Sequence, residues 1–123
     1  MLALYGCACD ENEVRLLRTP TEHMINNGIK NYEDGNYSAS IATLQSLVDN
    51  KSATNKEKVL AYKFLAFNFC ISTTLSKDYR ERMCRDSFQK AIDLNPFFTL
   101  SAAEAGHPIW GPVFSNVKNK PAK

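Results

Sequence analysis

Residues 62–96 read YKFLAFNFCISTTLSKDYRERMCRDSFQKAIDLNP, and this stretch decides the fold. Tyr62, Leu65, Ala66 and Phe69 stand at i, i+3, i+4 and i+7, the spacing of one helix face. Val59, Leu60, Phe64, Phe67, Cys70 and Ile71 fill much of the remaining circumference. A helix that is apolar nearly all round is buried on several sides or donates one side to a partner. Ser72 to Asp78 is polar and reads as a loop. Tyr79, Met83, Cys84, Ser87, Phe88, Ala91 and Ile92 then mark the inner face of a second helix. Pro96 stops it, because the residue before a proline avoids the helical region.

Working outward, Thr54-x-x-Glu57 is a capping box, in which the two side chains satisfy backbone N–H groups the first turn leaves unpaired. It predicts a helix over 55–72, followed by one over 77–94. Upstream, Thr19-Pro20-Thr21-Glu22 combines a cap, a proline at the first helical position and a glutamate at the third, and predicts a helix over 20–33. Asp34-Gly35-Asn36 ends that helix, since glycine accepts the left-handed conformation. Tyr37, Ile41, Leu44 and Leu47 or Val48 predict another over 37–49. Downstream, Ser101-x-x-Glu104 is a third capping box, for a short turn closed by Gly106. Pro108 then opens a segment over 109–118 with Trp110, Val113, Phe114 and Val117. Pro112 falls in its first turn, where a missing N–H costs little. No stretch reads as a strand. The expected class is all-α, built of antiparallel helical hairpins.

The two hairpins are related. Tyr62, Leu65, Ala66 and Phe69, then Phe88, Ala91 and Pro96, resemble the tetratricopeptide pattern, where small residues let two helices approach and large ones fill between them. The first pair follows in weaker form through Gly28, Gly35, Tyr37, Ser40, Leu44 and Leu47. Ser52 stands where the terminating proline belongs, and the turn around Thr73 to Tyr79 is longer than the pattern. The expected architecture is two tetratricopeptide-like repeats over 19–118 with the last helix as a C-terminal cap, because terminal repeats need their open apolar face covered.

A narrower resemblance follows from Phe69-Cys70-Ile71, Cys84-Arg85-Asp86-x-Phe88, Asn95-Pro96-Phe97-Phe98, and above all EAGHPxWGPVF over 104–114. In these the chain resembles small tetratricopeptide lipoproteins of Gram-negative envelopes, associated with type VI secretion gene clusters. The resemblance spans about residues 20–118. It implies an outer-membrane tether and a scaffolding role in a trans-envelope apparatus, with a secretion-system or envelope protein as partner.

The N-terminus bears on that tether. Met1 to Cys9 reads MLALYGCAC, too short and without the basic residue of a complete secretory signal. Leu4-Tyr5-Gly6-Cys7 resembles a bacterial lipobox, with Tyr5 departing from its usual small residue. The expectation is that 1–7 is the remnant of a lipoprotein signal, Cys7 the lipidated residue and 8–18 a tether carrying a short apolar element, Val14 to Leu17. Ala8 after the cysteine directs such lipoproteins to the outer membrane. The bland alternative is a soluble N-terminus with two incidental cysteines. Asn119 to Lys123 is a polar tail.

With 44% hydrophobic and 23% charged residues the chain has a globular balance, which argues against general disorder. The formal charge of +2 comes with no basic stripe, which argues against nucleic acid. Catalysis requires a nucleophile with a base, paired carboxylates or a metal set. His23 and His107 stand alone, Cys7-Ala8-Cys9 is too tight for a zinc half-site, and no phosphate-binding or zinc-protease motif occurs. The expectation is therefore no enzyme, metal or cofactor, with a thiol-dependent enzyme using Cys70 or Cys84 as the remote alternative. A pilotin, an assembly factor of another envelope machine and a cytosolic adaptor are the nearer ones.

First helices of tetratricopeptide pairs line a concave face. Lys30, Asn31, Lys63, Phe67 and Asn68 are the expected protein-binding residues there, aromatic anchors flanked by polar groups. The rival expectation is that Phe67 packs under the last helix. Cys70 lies near the end of one helix and Cys84 in the first half of the next, one to two turns from the bend. Helix axes 8–10 Å apart allow such positions to approach disulfide distance, so a Cys70–Cys84 bridge is expected, against two reduced, buried cysteines.

Overall fold

The computed structural model describes residues 19–119. The signal remnant, the tether, Cys7 and residues 120–123 of the tail lie outside them. Among the described residues the chain is all-α, with six helices: α1 Pro20–Glu33, α2 Tyr37–Val48, α3 Asn55–Ile71, α4 Lys77–Leu94, α5 Ala102–Ala105 and α6 Trp110–Lys118.

The boundaries follow from local chemistry. Thr19, Thr54 and Ser101 each accept from the backbone N–H three residues on, and Glu22, Glu57 and Glu104 each reach back to the cap residue, so all three capping boxes form. α1 closes through Gly35 at φ +84°, with Asn36 N–H donating to the Asn31 carbonyl at 2.8 Å. α2 and α3 each end one residue earlier than expected. Asp49 and Ser72 serve as their C-caps rather than as helical residues. Ile109 likewise is the N-cap of α6 and not its first residue.

α1 and α2 form one hairpin and α3 and α4 a second, with α2 packed on α3 and α1 beside α3. Thr21 on α1 donates to the Glu57 carboxylate on α3 at 3.1 Å, so the first helices of the two hairpins start at the same end of the stack. Gly28 sets the approach of α1 to α2. A Cβ there would stand 2.5 Å from Leu44, which is fully buried, and Ser40 donates to the Gly28 carbonyl at 2.7 Å across the same gap.

α3 is buried on several sides, as its all-round apolar surface implies. It packs on α1, α2, α4 and α6. Leu65, Ala66, Phe67 and Phe69 are buried within it. On α4, Cys84, Ser87, Phe88 and Ala91 are buried and Met83 and Ile92 partly so; Tyr79, expected on the inner face, is 38% exposed at its rim. The Cys70 and Cys84 sulfurs are bonded at 2.02 Å, joining α3 to α4 near the bend.

The C-terminal segment closes the stack. Phe114 packs edge-on to Phe88 at 5.1 Å, as expected, whereas Trp110 lies against Phe67 of α3 rather than against α4. Trp110 opens α6 at the level of Phe67, and Lys118 at its far end reaches the Pro96 and Phe98 carbonyls just beyond α4. α6 therefore runs in the direction of α4 and opposite to α3. Gly111 makes the fold-back possible, since a Cβ there would stand 2.4 Å from the Ala105 carbonyl oxygen of α5.

Candidate protein-binding face

Five residues were expected to line one face, and the structure divides them. Lys30 is exposed and pairs with Asp34 one turn on, at 3.3 Å. Asn31 is half-buried, and its carbonyl closes the end of α1. Lys63 is mostly covered, its amine 2.9 Å from the Glu104 carboxylate. Phe67 is 2% exposed and Asn68 fully buried, so neither lines a groove. The rival expectation for Phe67 holds: it packs under the last segment of the chain. Asn68 instead ties the hairpins together, its amide donating to Ser40 Oγ at 2.9 Å and to the Phe64 carbonyl at 2.8 Å. These two bonds satisfy the NH2 group of the buried amide.

What occupies the face is the 104–110 segment. The Trp110 ring stacks on Phe67 with centroids 3.9 Å apart, and His107 stacks on Trp110 at 3.6 Å. Trp110 Nε1 donates to the Glu104 carbonyl at 2.8 Å. His107 Nδ1 accepts from the N–H groups of Ile109 at 3.1 Å and Trp110 at 3.4 Å, and so caps the start of α6, a role the sequence does not announce. Tyr32 lies edge-on to Phe64 at 5.5 Å and 6.1 Å from Phe67, extending the cluster to α1. The Lys63 amine sits 5.1 Å from the Phe64 ring centroid, within cation–π range.

Two groups here are shifted. Burial pushes the Tyr32 hydroxyl up to about 12, helped by Tyr37, Glu104 and Glu33 nearby. Burial also pushes the Glu104 carboxyl up, but hydrogen bonds from Lys63 and Ser101 and the Lys63 charge outweigh it and leave the group below its usual range. A depressed carboxyl stabilises the fold above its unfolded value, and that contribution disappears as the pH falls through the folded value. Glu104→Gln keeps a residue competent for the capping box while removing the charge. The stability gap between wild type and this variant should be widest near neutrality and vanish in acid, read by denaturant unfolding across pH. A gap that is constant with pH would leave the ion pair without a role.

These side chains cover one another: Trp110 shields Phe67, and Glu104 neutralises Lys63. Cys70 and Cys84 are joined in the bridge, which removes both as thiol nucleophiles. No set of three potential metal ligands gathers among the described residues. Nor is any described helix long and apolar enough to cross a membrane.

No family model, curated protein or solved structure matches the chain. Tyr32, Phe64, Glu104 and His107 belong to the face but were not among the five residues expected there. The motif EAGHPxWGPVF held Glu104 and His107, but their spacing alone reads as a helix end.

Proposed function

We propose that the protein is a tetratricopeptide-type adaptor that holds another protein, tethered to the periplasmic face of the outer membrane through lipid on Cys7. The partner is an envelope component of a secretion apparatus, with type VI the system suggested by the motif resemblance. The observation that carries this reading is the pairing of two stacked hairpins whose first helices run side by side, with a partly exposed strip of Tyr32 and Phe64 along them beside the mostly covered Lys63. Aromatic side chains with a few polar groups are what protein recognition uses. The Cys70–Cys84 pairing supports an oxidising compartment. Neutralisation of Lys63 by Glu104 counts against a cytosolic adaptor that grips a free carboxylate, since that needs unpaired cations.

Two measurements test it. A photo-crosslinking residue at Asn31, beside the strip, should give an adduct with an envelope protein in cells, and one at Asp86, on the exposed side of α4, should not. Equal adducts from both positions would remove the proposed face. Metabolic labelling with a fatty-acid analogue should mark the wild-type protein and not Cys7→Ser. Label on both or on neither would remove the anchor and leave the binding face to be judged by the crosslinks. A pilotin or assembly factor of another envelope machine would share face and anchor, and the identity of the adduct separates it.

A further inference from the structure

The loop between α4 and α5 carries Phe97, whose side chain is 90% exposed. A solitary exposed apolar residue is ordinary. Phe97 differs in how firmly its backbone is held. Asn95 Oδ1 accepts from the Phe97 N–H at 3.0 Å, and the Asn95 carbonyl accepts from the Phe98 N–H at 2.9 Å. The Lys118 amine donates to the carbonyls on both sides, 2.8 Å to Pro96 and 2.6 Å to Phe98. Phe98 itself is buried against Phe114. An aromatic side chain on a backbone already fixed loses little freedom on docking, which is how interface anchors reach high affinity.

The same end of the stack offers a receptacle. α4 returns antiparallel to α3, so its last residues lie beside the start of α3; Leu94 and Asn95 share a small cleft with Asn55, Lys56 and Val59. Across Lys56 lies a larger cleft of about 470 Å³ between the first turns of α1 and α3. Ile25 and Leu60 give it an apolar lining, and Glu22 and Glu57 bring two negative charges to it against the one positive charge of Lys56. The cation of Lys118 sits directly beside Phe97.

We infer that the protein self-associates through this end, Phe97 of one copy entering the Ile25–Leu60 cleft of a second while Lys118 approaches Glu22 and Glu57. The occupant is a second copy because one chain carries both complementary parts, apolar knob with cation and apolar cleft with carboxylates. Knob and cleft lie at one end, so a two-fold axis between two copies lets each give one knob and receive one. The assembly closes at a dimer instead of growing as a filament.

Sedimentation velocity of the full chain tests this. The dimer fraction should rise with concentration through the micromolar range and fall with added salt. Phe97→Ser should weaken association roughly tenfold or more, with the melting temperature unchanged. Asn26→Trp fills the cleft from its exposed rim, without touching the core, and should have the same effect. An equal mixture of these two variants retains one knob and one cleft and should associate more strongly than either alone. A wild-type chain that stays monomeric through the high-micromolar range, or a Phe97→Ser chain that dimerises normally, overturns the inference. A wild-type dimer untouched by Asn26→Trp overturns the assigned cleft.

Discussion

Truncating Trp110 to alanine is expected to lower the unfolding free energy by about 3 to 5 kcal/mol, the range for removing a large buried aromatic. The ring is 7% exposed and fills the space between Phe67 of α3 and His107 of the same segment. Its loss opens a cavity beside Phe67 that neighbouring helices cannot collapse into, because Phe67 is itself fixed edge-on to Phe64 and Phe88. It also leaves the Glu104 carbonyl without the indole N–H. Trp110→Phe separates the two losses, keeping the stack and dropping the hydrogen bond, and should cost about 0.5 to 1.5 kcal/mol from that bond together with the smaller ring's lost contacts. Ile109→Ala, next in sequence but 51% exposed, should stay within about 0.5 kcal/mol of wild type. Urea unfolding gives all three values. A Trp110→Ala loss no greater than that of Ile109→Ala would mean the segment after Pro108 is not part of the cooperative core.

Helix positions were legible because their ends are written in local chemistry. Thr19, Thr54 and Ser101 with a glutamate three residues on mark starts, and Gly35 and Pro96 mark stops; these need no knowledge of the rest of the chain. The bridge was legible for a related reason. An antiparallel hairpin with a known bend fixes which residues stand at equal height, and Cys70 and Cys84 do. The candidate face was not legible at the level of single residues. On a helix as apolar as α3, periodicity does not say which side turns to which neighbour. Phe67 stands one turn on from Lys63 and Asn68 well round the helix from it; the 104–110 segment covers the first and α2 the second. The seating of Trp110 on α3 rather than on α4 was hidden for the same reason. It depends on Gly111 letting α6 fold back against the Ala105 carbonyl, a tertiary contact with no sequence period.

This closure changes what the face is. In an open repeat array, Lys63 and Phe67 would meet an incoming peptide. Here the chain supplies its own ligand-like segment, with Glu104 as the acid and Trp110 as the aromatic. The strip we propose for a partner is accordingly shifted toward Tyr32 and Phe64 and includes residues of α1. A substitution such as Phe64→Ser or Tyr32→Ser should therefore reduce partner crosslinking from Asn31 more than Lys63→Met, whose amine is already engaged.

Removing the Cys70–Cys84 bridge is expected to cost about 3 kcal/mol on the chain-entropy account of a closed loop of roughly 15 residues. The two cysteines are separated by 14 positions, so the bridge denies the unfolded chain only a local loop, and its value is set by that loop rather than by the length of the protein. The native side adds to its importance. The turn it closes is otherwise held by a 3.4 Å bond from Leu75 N–H to the Ser72 carbonyl and by a 3.2 Å hydroxyl contact between Ser72 and Thr74. One turn further from the bend stand Phe67 and Phe88, the two rings on which the C-terminal segment is seated. Loosening the bend should therefore show first as faster amide exchange in α4 and α6, with α1 and α2 less affected. The measurement is denaturant unfolding of wild type with and without a reducing dithiol, beside the Cys70→Ala, Cys84→Ala double variant. Reduction should lower the midpoint of wild type and leave the variant unchanged. Because the linked unfolded chain is more compact, reduction should also raise the slope of free energy against denaturant. A midpoint indifferent to reductant, in protein whose thiols are then shown to be free, would mean that the packing of α3 on α4 carries the hairpin without the bridge.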